Sequence, residues 1–280
     1  MAALRLALVQ LAVGAQKAAN LANARSKVLE AARAGAEMVV LPECFNSPYG
    51  TQYFGQYAEE VGASGPRGES TTALSAMAQE ARVYLVGGSI PERAGDDLFN
   101  TCTVWGPDGT QLARHRKVHL FDIDFPGKIV FKESDVLKPG DMLTEFGTPW
   151  GRFGVGICYD MRFPEMAMVA ARRGCVAMLY PGAFNTTTGP LHWELLLRAR
   201  AADNQIFTAA CSPARDVAAT YHAWGHSTIV DPYARVLATT DDAPAIVYAD
   251  LDMSLVDDVR RSVPVNSQRR FDLYPDVAKQ

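Results

Sequence analysis

Residues 37–43, EMVVLPE, form a short apolar run that ends in a proline and a carboxylate. Such a run is typical of a buried strand. Upstream, the run LRLALVQL (4–11) predicts another strand, and apolar residues at near-helical spacing predict a helix from Asn20 to Ala34. Downstream, a helix over about Ser70–Arg82 and a strand over 83–90 continue the alternation. This order predicts a largely parallel sheet with helices packed on it.

The middle of the chain changes from helix–strand alternation to hairpins. A Pro-Asp-Gly turn between the strand-like runs 99–105 and 111–117 predicts one hairpin, and two more are predicted over 142–158 and around 231–235. The remaining predicted elements are helices near 165–173 and 192–204 and strands over 175–181, 206–211 and 245–251. Without a linker or a repeat, the sequence predicts one mixed α/β domain over residues 1–280. Its weakly periodic tail from about residue 260 is a candidate for contact with a partner subunit.

The composition is that of a soluble globular protein, with 48% hydrophobic and 21% charged residues in a chain of 280. The formal net charge of −4 gives no electrostatic reason to expect a nucleic acid or a membrane as partner. No apolar run approaches the roughly 18 residues that a spanning helix needs, and the N-terminal run lacks the features of a signal peptide. Widely spaced cysteines without a CxxC pair favour free thiols, so the cytoplasm is the expected location.

Three reactive side chains fall at predicted strand ends, where the ligand sites of α/β sheets form. Glu43 ends a strand, Lys117 ends a hairpin arm, and Cys158 lies where the apolar run FGVGIC (153–158) changes to the polar YDMRF. Each has a structural alternative, since Glu43 could cap backbone amides and Lys117 could be a solvated charge. A free thiol has a pKa of about 8.5, so catalysis by Cys158 requires a base or a cation beside it.

Other conspicuous residues are expected to be structural. Cys44 follows Glu43, and alternation along a strand would point its side chain to the opposite face, where packing is expected. The three remaining cysteines lie inside apolar strand-like runs and are expected in the core. His222 and His226 are four residues apart, but the glycine and the STIV run around them predict a loop that enters a strand, so no metal site is expected.

Three segments, in this order, resemble the nitrilase superfamily of carbon–nitrogen hydrolases: LPECFNSPYG (41–50), RKVHLFDID (116–124) and GICYDMRFPE (156–165). The resemblance covers essentially the whole chain. Further segments are similar to the omega-amidase branch in particular, namely GGSIPE, PGAFN, GPLHWELL, SPARD and AWGHSTIVDP. One departure is ASGPRG (63–68), which is longer than the family's usual connection and would alter a loop near the pocket.

The resemblance implies an αββα sandwich of mixed parallel and antiparallel sheets that pairs across a helix face as a homodimer. It implies that Glu43 is the general base for the thiol of Cys158, which attacks an amide carbonyl to form a cysteinyl thioester. Lys117 and the backbone N–H of Tyr159 would stabilise the oxyanion, and Glu133 would orient the lysine. No metal ion or organic cofactor is implied, because these groups perform every proton and charge step.

The omega-amidase branch acts on the terminal amide of short α-keto dicarboxylic monoamides, such as α-ketoglutaramate and α-ketosuccinamate. Arg162 is the nearest candidate to bind the substrate carboxylate, and Tyr49 and Thr187 are candidate hydrogen-bond donors, with Tyr159 as a further substrate contact. Another C–N substrate, such as an aliphatic nitrile, an N-carbamoyl amine or deaminated glutathione, is an alternative. A third possibility is a non-enzymatic, redox-sensitive role of Cys158, which predicts that the carboxylate and the lysine are dispensable.

Overall fold

The computed structural model describes residues 3–62 and 64–279. Its strands are β1 (Leu4–Gln10), β2 (Met38–Val40), β3 (Tyr84–Val86), β4 (Ile90–Ala94), β5 (Asp97–Trp105), β6 (Gln111–Arg116), β7 (Asp122–Phe125), β8 (Ile129–Lys132), β9 (Thr144–Thr148), β10 (Gly151–Val155), β11 (Cys175–Pro181), β12 (Phe207–Cys211), β13 (Thr228–Val230), β14 (Val236–Thr239) and β15 (Ala245–Leu251). Its helices are α1 (Lys17–Arg33), α2 (Thr51–Tyr57), α3 (Glu69–Ala81), α4 (Pro164–Arg172), α5 (Gly189–Asn204) and α6 (Ser254–Ser262), with 3₁₀ helices at Glu133–Asp135 and Cys158–Arg162. Ala63, the first residue of the segment 63–68, lies outside the described residues.

The strands form two large mixed sheets and one small hairpin. The first sheet has the order β15-β1-β2-β3-β5-β4, with β6 also paired to β5. Within it, β1, β2 and β3 run parallel and the other pairs are antiparallel. The second sheet has the order β14-β13-β12-β11-β10-β9, with β10, β11 and β12 parallel. β7 and β8 pair with each other.

Alternate residues of β1 show how the layers are built. Leu4, Leu6 and Leu8 belong to a core cluster shared with the second sheet, whereas Ala7 and Val9 pack in a cluster with residues of α1 and α3. Both faces of the strand are buried, which explains its uninterrupted apolar sequence. α4 and α5 pack on β11 and β12 of the second sheet. The fold is therefore the expected αββα sandwich.

The predicted strand over 83–90 is interrupted. β3 stops after three residues, and the chain turns at Gly88, whose φ is 63°. A side chain at Gly88 would meet the carbonyl oxygen of Pro42 at 2.2 Å, so only glycine permits this approach to the end of β2. The turn brings the hydroxyl of Ser89 to the N–H of Cys44, which donates to it at 3.0 Å.

The predicted strand over 37–43 is also shorter than expected. Glu43 lies in the turn after β2, and Cys44 has a φ of 51°, in the left-handed region. Strand alternation was therefore the wrong argument for the direction of the Cys44 side chain. Its expected packing role is confirmed, because it lies in a buried cluster with Tyr49 and Phe54.

Four elements lie wholly or mostly in segments without predicted structure: α2, β4, the β7–β8 hairpin and α6. α6 covers the beginning of the predicted tail. Beyond α6, the tail contacts its own chain, where Asp276 forms a salt bridge with Arg172 of α4 at 2.7 Å and the ring of Phe271 lies 4.6 Å from the same guanidinium. In the part of the chain that the structure describes, no helix is both long and apolar enough to cross a membrane.

Candidate active site

Glu43, Lys117 and Glu133 meet in one buried cluster. Lys117 Nζ lies 2.9 Å from Glu43 Oε1 and 2.9 Å from Glu133 Oε2. The three residues follow β2, β6 and β8, so three separate segments of the chain supply the cluster. Each is 1% exposed or less. An ammonium group between two carboxylates is the pairing that makes such deep burial of charge tolerable.

The two oxygens of Glu43 differ in their partners. Oε1 accepts hydrogen bonds from Lys117 Nζ at 2.9 Å and from Asn100 Nδ2 at 2.8 Å. Oε2 is buried and has no hydrogen-bond partner among the described residues. Cys158 is close enough for this thiol and the Glu43 carboxyl group to shift each other's pKa. A carboxylate oxygen left open beside a thiol is the arrangement that a general base requires.

Glu133 is satisfied at both oxygens. Oε1 accepts from the hydroxyl of Tyr49 at 2.7 Å and from Lys117 Nζ at 3.0 Å. Oε2 accepts the backbone N–H of Phe121 at 2.7 Å. With these partners, Glu133 can hold the lysine in place.

Cys158 begins the 3₁₀ helix that follows β10. Its φ of 47° lies in the left-handed region, which is uncommon for a residue with a side chain. Glycine at position 156 permits the turn, because a side chain there would meet the ring of Tyr180 at 2.8 Å. A sharp, strained turn at the end of a strand is a known way to present a nucleophile from a rigid sheet.

Burial and charge together set the protonation of these groups. Burial raises the pKa of the Glu43 carboxyl, although Lys117 acts against it. Burial and the charge of Glu43 raise the pKa of the Cys158 thiol well above its usual value. Burial would lower the pKa of Lys117, but the carboxylates of Glu133 and Glu43 raise it well above normal. The lysine is therefore an ammonium ion at neutral pH, whereas the thiol is protonated and needs a base.

An aromatic wall stands beside the cluster. The ring of Tyr49 stacks on Phe131 of β8 with centroids 5.6 Å apart and tilts against Tyr221 at 4.5 Å. A cavity of about 220 Å³ reaches Glu43, Tyr49 and Tyr221. Cys158 does not line this cavity and is 3% exposed.

Arg162 ends the 3₁₀ helix that Cys158 begins. Its guanidinium lies 4.6 Å from the ring centre of Phe184 and 5.4 Å from that of Tyr159, and its Nη1 lies 3.0 Å from His192 Nδ1. Burial lowers the pKa of Arg162, and the nearby Cys158 thiol acts against this shift. Its Nε is buried and has no hydrogen-bond partner among residues 3–62 and 64–279. Arg162 is therefore a cation near Cys158 whose Nε–H is available to a ligand.

Thr187 lies in the turn before α5, where its N–H donates to Asn185 Oδ1 at 3.0 Å. Within the described ranges, no hydrogen bond joins its hydroxyl to the charged cluster. The structure thus brings Tyr49 into contact with the cluster but does not do so for Thr187.

Three residues of the site are not predicted from the sequence: Asn100, Tyr221 and Asp160. Asn100 in β5 and Tyr221 in the loop before β13 reach the site only through the tertiary fold, and no local pattern marks them. Asp160 did have a local signal, since an aspartate three residues after Ile157 can cap its N–H, which it does at 2.8 Å.

Comparison with known proteins assigns the family. The model of the carbon–nitrogen hydrolase family matches residues 5–261. Omega-amidase NIT2 of Homo sapiens is 56% identical over 274 residues, which are 98% of this chain and 98% of that protein. A hydrolase of Schizosaccharomyces pombe is 60% identical over 98% of this chain and 84% of its own length. The crystal structure of Saccharomyces cerevisiae Nit3, a member of branch 10 of the nitrilase superfamily, superposes with a TM-score of 0.89 at 45% identity, covering 96% of this chain and 97% of that one. The chain therefore belongs to the carbon–nitrogen hydrolase family of the nitrilase superfamily.

Proposed function

We propose that the protein is an omega-amidase, which hydrolyses the terminal amide of short α-keto dicarboxylic monoamides such as α-ketoglutaramate and α-ketosuccinamate to the dicarboxylate and ammonia. The observation that carries this proposal is the Cys158 thiol beside the open Oε2 of Glu43, next to the buried ammonium of Lys117. The relatives named omega-amidase NIT2, at 55% and 56% identity over nearly their full lengths, support it.

In the first half of the reaction, Glu43 takes the thiol proton while the sulfur of Cys158 attacks the amide carbon. The C–N bond then breaks as protonated Glu43 returns the proton to the nitrogen, which leaves as ammonia. The acyl group remains on the sulfur as a thioester. A positioned base of this kind contributes about 10²–10⁴-fold in rate.

In the second half, Glu43 takes a proton from a water molecule that attacks the thioester carbon. The C–S bond breaks, the acid leaves, and the proton passes from Glu43 to the sulfur. Both half-reactions use one carboxylate as base and then as acid. The raised pKa of the Glu43 carboxyl suits this alternation, because a carboxylate with a higher pKa is a stronger base for the thiol and the water molecule.

Lys117 and the backbone N–H of Tyr159 are the proposed donors to the oxyanion. Lys117 Nζ donates to Glu43 Oε1 and Glu133 Oε1, and we propose that its third N–H reaches the substrate. One such donor, held rigidly in a buried site, is worth about 3 kcal/mol of transition-state stabilisation. Glu133 acts through the lysine by fixing its direction.

Arg162 is the proposed partner of the substrate carboxylate. A partly buried guanidinium with an unpartnered Nε carries a desolvation cost that an anionic ligand would offset. Its position four residues after the nucleophile suits a short substrate, whose carboxylate and terminal amide are only a few bonds apart. Tyr49 remains a proposed contact through its hydroxyl, and Thr187 has no such contact to support it.

Substitution of Arg162 tests the substrate class. For Arg162→Ala, we expect KM for α-ketoglutaramate to rise about 10- to 100-fold, because a hydrogen-bonded charge pair is lost. KM for an uncharged amide of equal length should stay unchanged, and Arg162→Lys should be intermediate. Equal losses for both substrates would overturn the assignment.

A substrate panel separates the omega-amidase from other C–N hydrolases. Ammonia release from α-ketoglutaramate, an aliphatic nitrile, an N-carbamoyl amine and deaminated glutathione should be compared by kcat/KM. We expect α-ketoglutaramate to be the best substrate. A higher kcat/KM for any of the other three would replace the proposed substrate without removing the thiol mechanism.

We further infer that each chain is one catalytic domain and that two chains pair across α5. Leu191 and Leu195 lie one helical turn apart on α5 and are more than half exposed. Arg198 Nε donates to the carbonyl of Ala234, which places the β13–β14 turn and the exposed Leu237 beside this helix. Such an apolar face suits an isologous contact with a second copy of the chain. The tail from about residue 260 would add further contacts to this interface.

Sedimentation equilibrium tests the dimer. We expect a dimer for the unchanged protein and a monomer for Leu195→Glu. Val130→Glu is the matched control, because Val130 is similarly exposed but lies on β8, outside the proposed interface. A monomeric unchanged protein, or equal effects of both variants, would contradict the inferred interface.

A reducing compartment, the cytoplasm, is the proposed location. All five cysteines are free and buried, which fits a protein that needs its thiol reduced. Cell fractionation followed by activity measurement tests this, and activity confined to an oxidising compartment would contradict it.

A further inference from the structure

One buried carboxylate joins the segments that carry Cys158 and Lys117. Asp160 is fully buried, and its Oδ2 accepts the N–H of Ile157 at 2.8 Å and lies 3.1 Å from His115 Nε2. Its Oδ1 accepts the backbone N–H of His119 at 2.9 Å and lies 2.8 Å from His119 Nδ1. Four hydrogen bonds therefore converge on this side chain.

Two hydrogen-bond partners of Asp160 flank Lys117 in the sequence. His115 and His119 lie two residues before and two residues after Lys117. His115 and Lys117 are both buried and point to the same side of the strand end, as residues two apart do. One carboxylate therefore bonds both to the turn that carries the nucleophile and to residues on either side of the lysine.

Asp160 also holds the strained backbone of the nucleophile. Its carboxylate accepts the N–H of Ile157, while its own N–H donates to the carbonyl of Ile157 at 3.0 Å. This reciprocal pair closes the turn around Cys158, whose left-handed φ of 47° costs energy for a residue with a side chain. Without the carboxylate, the backbone could relax and move the sulfur.

We infer that Asp160 is a positioning residue, which fixes the Cys158 turn against the strand end that carries Lys117. It cannot be the base, because both of its carboxylate oxygens are occupied by contacts with Ile157 and the two histidines. The inference rests on the proposed role of Cys158 as nucleophile, but not on the identity of the substrate.

Asp160→Asn tests this role while it preserves side-chain volume. One amide N–H would face a donor, so the turn should loosen. A displacement of about 1 Å at a nucleophile costs about 10²-fold in rate, so we expect kcat to fall by about that factor with KM nearly unchanged. The rate of Cys158 alkylation by iodoacetamide should fall in parallel.

The alkylation rate separates this inference from the proposed substrate. If α-ketoglutaramate proves to be a poor substrate but alkylation still slows in Asp160→Asn, the positioning role stands and the substrate proposal fails. If turnover and alkylation are both unchanged in a folded Asp160→Asn protein, the positioning role is wrong.

Asp231→Asn is the matched control. Asp231 is also fully buried and accepts the N–H groups of Tyr233 and Arg235 and the Nε of Arg235, but it lies in the β13–β14 turn. We expect this variant to lose thermal stability without loss of kcat. Similar loss of kcat in both variants would reduce Asp160 to a general stability residue and overturn the inference.

His119→Phe keeps the inference testable if Asp160→Asn does not fold. The ring would preserve the stacking on Phe163, now 3.6 Å between centroids, but remove the Nδ1 contact to Asp160. We expect about a tenfold slower alkylation of Cys158, which is the loss of one charged hydrogen bond. An unchanged rate would count against the positioning role.

Discussion

Glu43, in the turn after β2, and Glu92, in β4, are both buried and each 1% exposed, yet their surroundings differ. Both oxygens of Glu92 are occupied: Arg116 binds it in bidentate fashion at 2.9 and 2.6 Å, and Thr101 donates to one of them. Glu43 keeps one oxygen open beside a thiol. A saturated buried carboxylate stabilises the fold, whereas an unsaturated one is available for proton transfer.

The cations that bind these two glutamates are neighbours in the sequence. Arg116 and Lys117 point to opposite sides of the strand end, so one binds Glu92 and the other binds Glu43. Arg116 is a quarter exposed and offers a planar fork, while Lys117 is fully buried and offers three separate donors. The same dipeptide thus supplies a structural ion pair and a reactive one.

Removal of the thiol should have the largest effect. For Cys158→Ala, we expect ammonia release from α-ketoglutaramate to fall by at least about 10⁴-fold, because the proposed nucleophile that carries the acyl intermediate is lost. Cys175→Ala is the control, since burial raises the pKa of that thiol to about 12 and it lies at the start of β11, inside the core. Substantial turnover by Cys158→Ala would exclude the thiol mechanism.

The next largest effect should be the difference in kcat between variants of Lys117 and of its neighbour Arg116. Lys117→Met removes an oxyanion donor, and we expect kcat to fall about 10²–10³-fold. Arg116→Met breaks the Glu92 pair instead, so it should lower the midpoint of urea unfolding while kcat changes far less. Equal losses of kcat in steady-state assays of the two variants would contradict the assignment of Lys117, and not Arg116, to the reactive site.

Thiol activation should distinguish the two glutamates without any substrate. Iodoacetamide should label Cys158 at least about tenfold more slowly in Glu43→Gln than in the unchanged protein, since the base has been removed. Glu92→Gln should label at the normal rate. Mass spectrometry of the Cys158 peptide measures both rates, and labelling that is insensitive to Glu43→Gln would count against Glu43 as the activating base.

The smallest expected effect is the pH dependence of stability at Asp160. Burial alone would raise the pKa of this carboxyl, but hydrogen bonds from His115 and His119 hold it well below its usual range. Because the folded-state pKa is lowered, the stabilisation is fully present above the ordinary carboxyl pKa of about 3.9 and is lost as the pH falls below it. The difference in urea midpoint between Asp160→Asn and the unchanged protein should therefore shrink from pH 7 to pH 3.5. A constant difference would contradict the lowered pKa.

The charged site could be predicted because the hydrophobic periodicity of the sequence indicates where strands end. Glu43 and Cys158 each stand where an apolar run stops, Lys117 ends a hairpin arm, and the three residues follow β2, β6 and β10. Glu133 carried no such signal and was assigned only through the resemblance to the family. The alternation of strands and helices likewise predicted the αββα layers.

The contacts that distinguish Glu43 from Glu92 could not be read in this way. Asn100 reaches Glu43 through β5, and no periodic pattern marks a residue whose partner is far away in the chain. The left-handed backbone of Cys44 and Cys158 also has no local signature, because the tertiary contacts of the turns impose it. Helix α2 and the β7–β8 hairpin were missed because their short segments lack a clear apolar period.

The most direct test of the account compares Glu43→Gln with Glu92→Gln in one assay of ammonia release from α-ketoglutaramate. Both changes replace a carboxylate with an amide of the same shape at an equally buried position. We predict that Glu43→Gln lowers kcat by about 10²–10⁴-fold while Glu92→Gln retains kcat in its folded fraction. Comparable kcat values for the two variants would contradict the claim that the open oxygen of Glu43 makes this carboxylate the base.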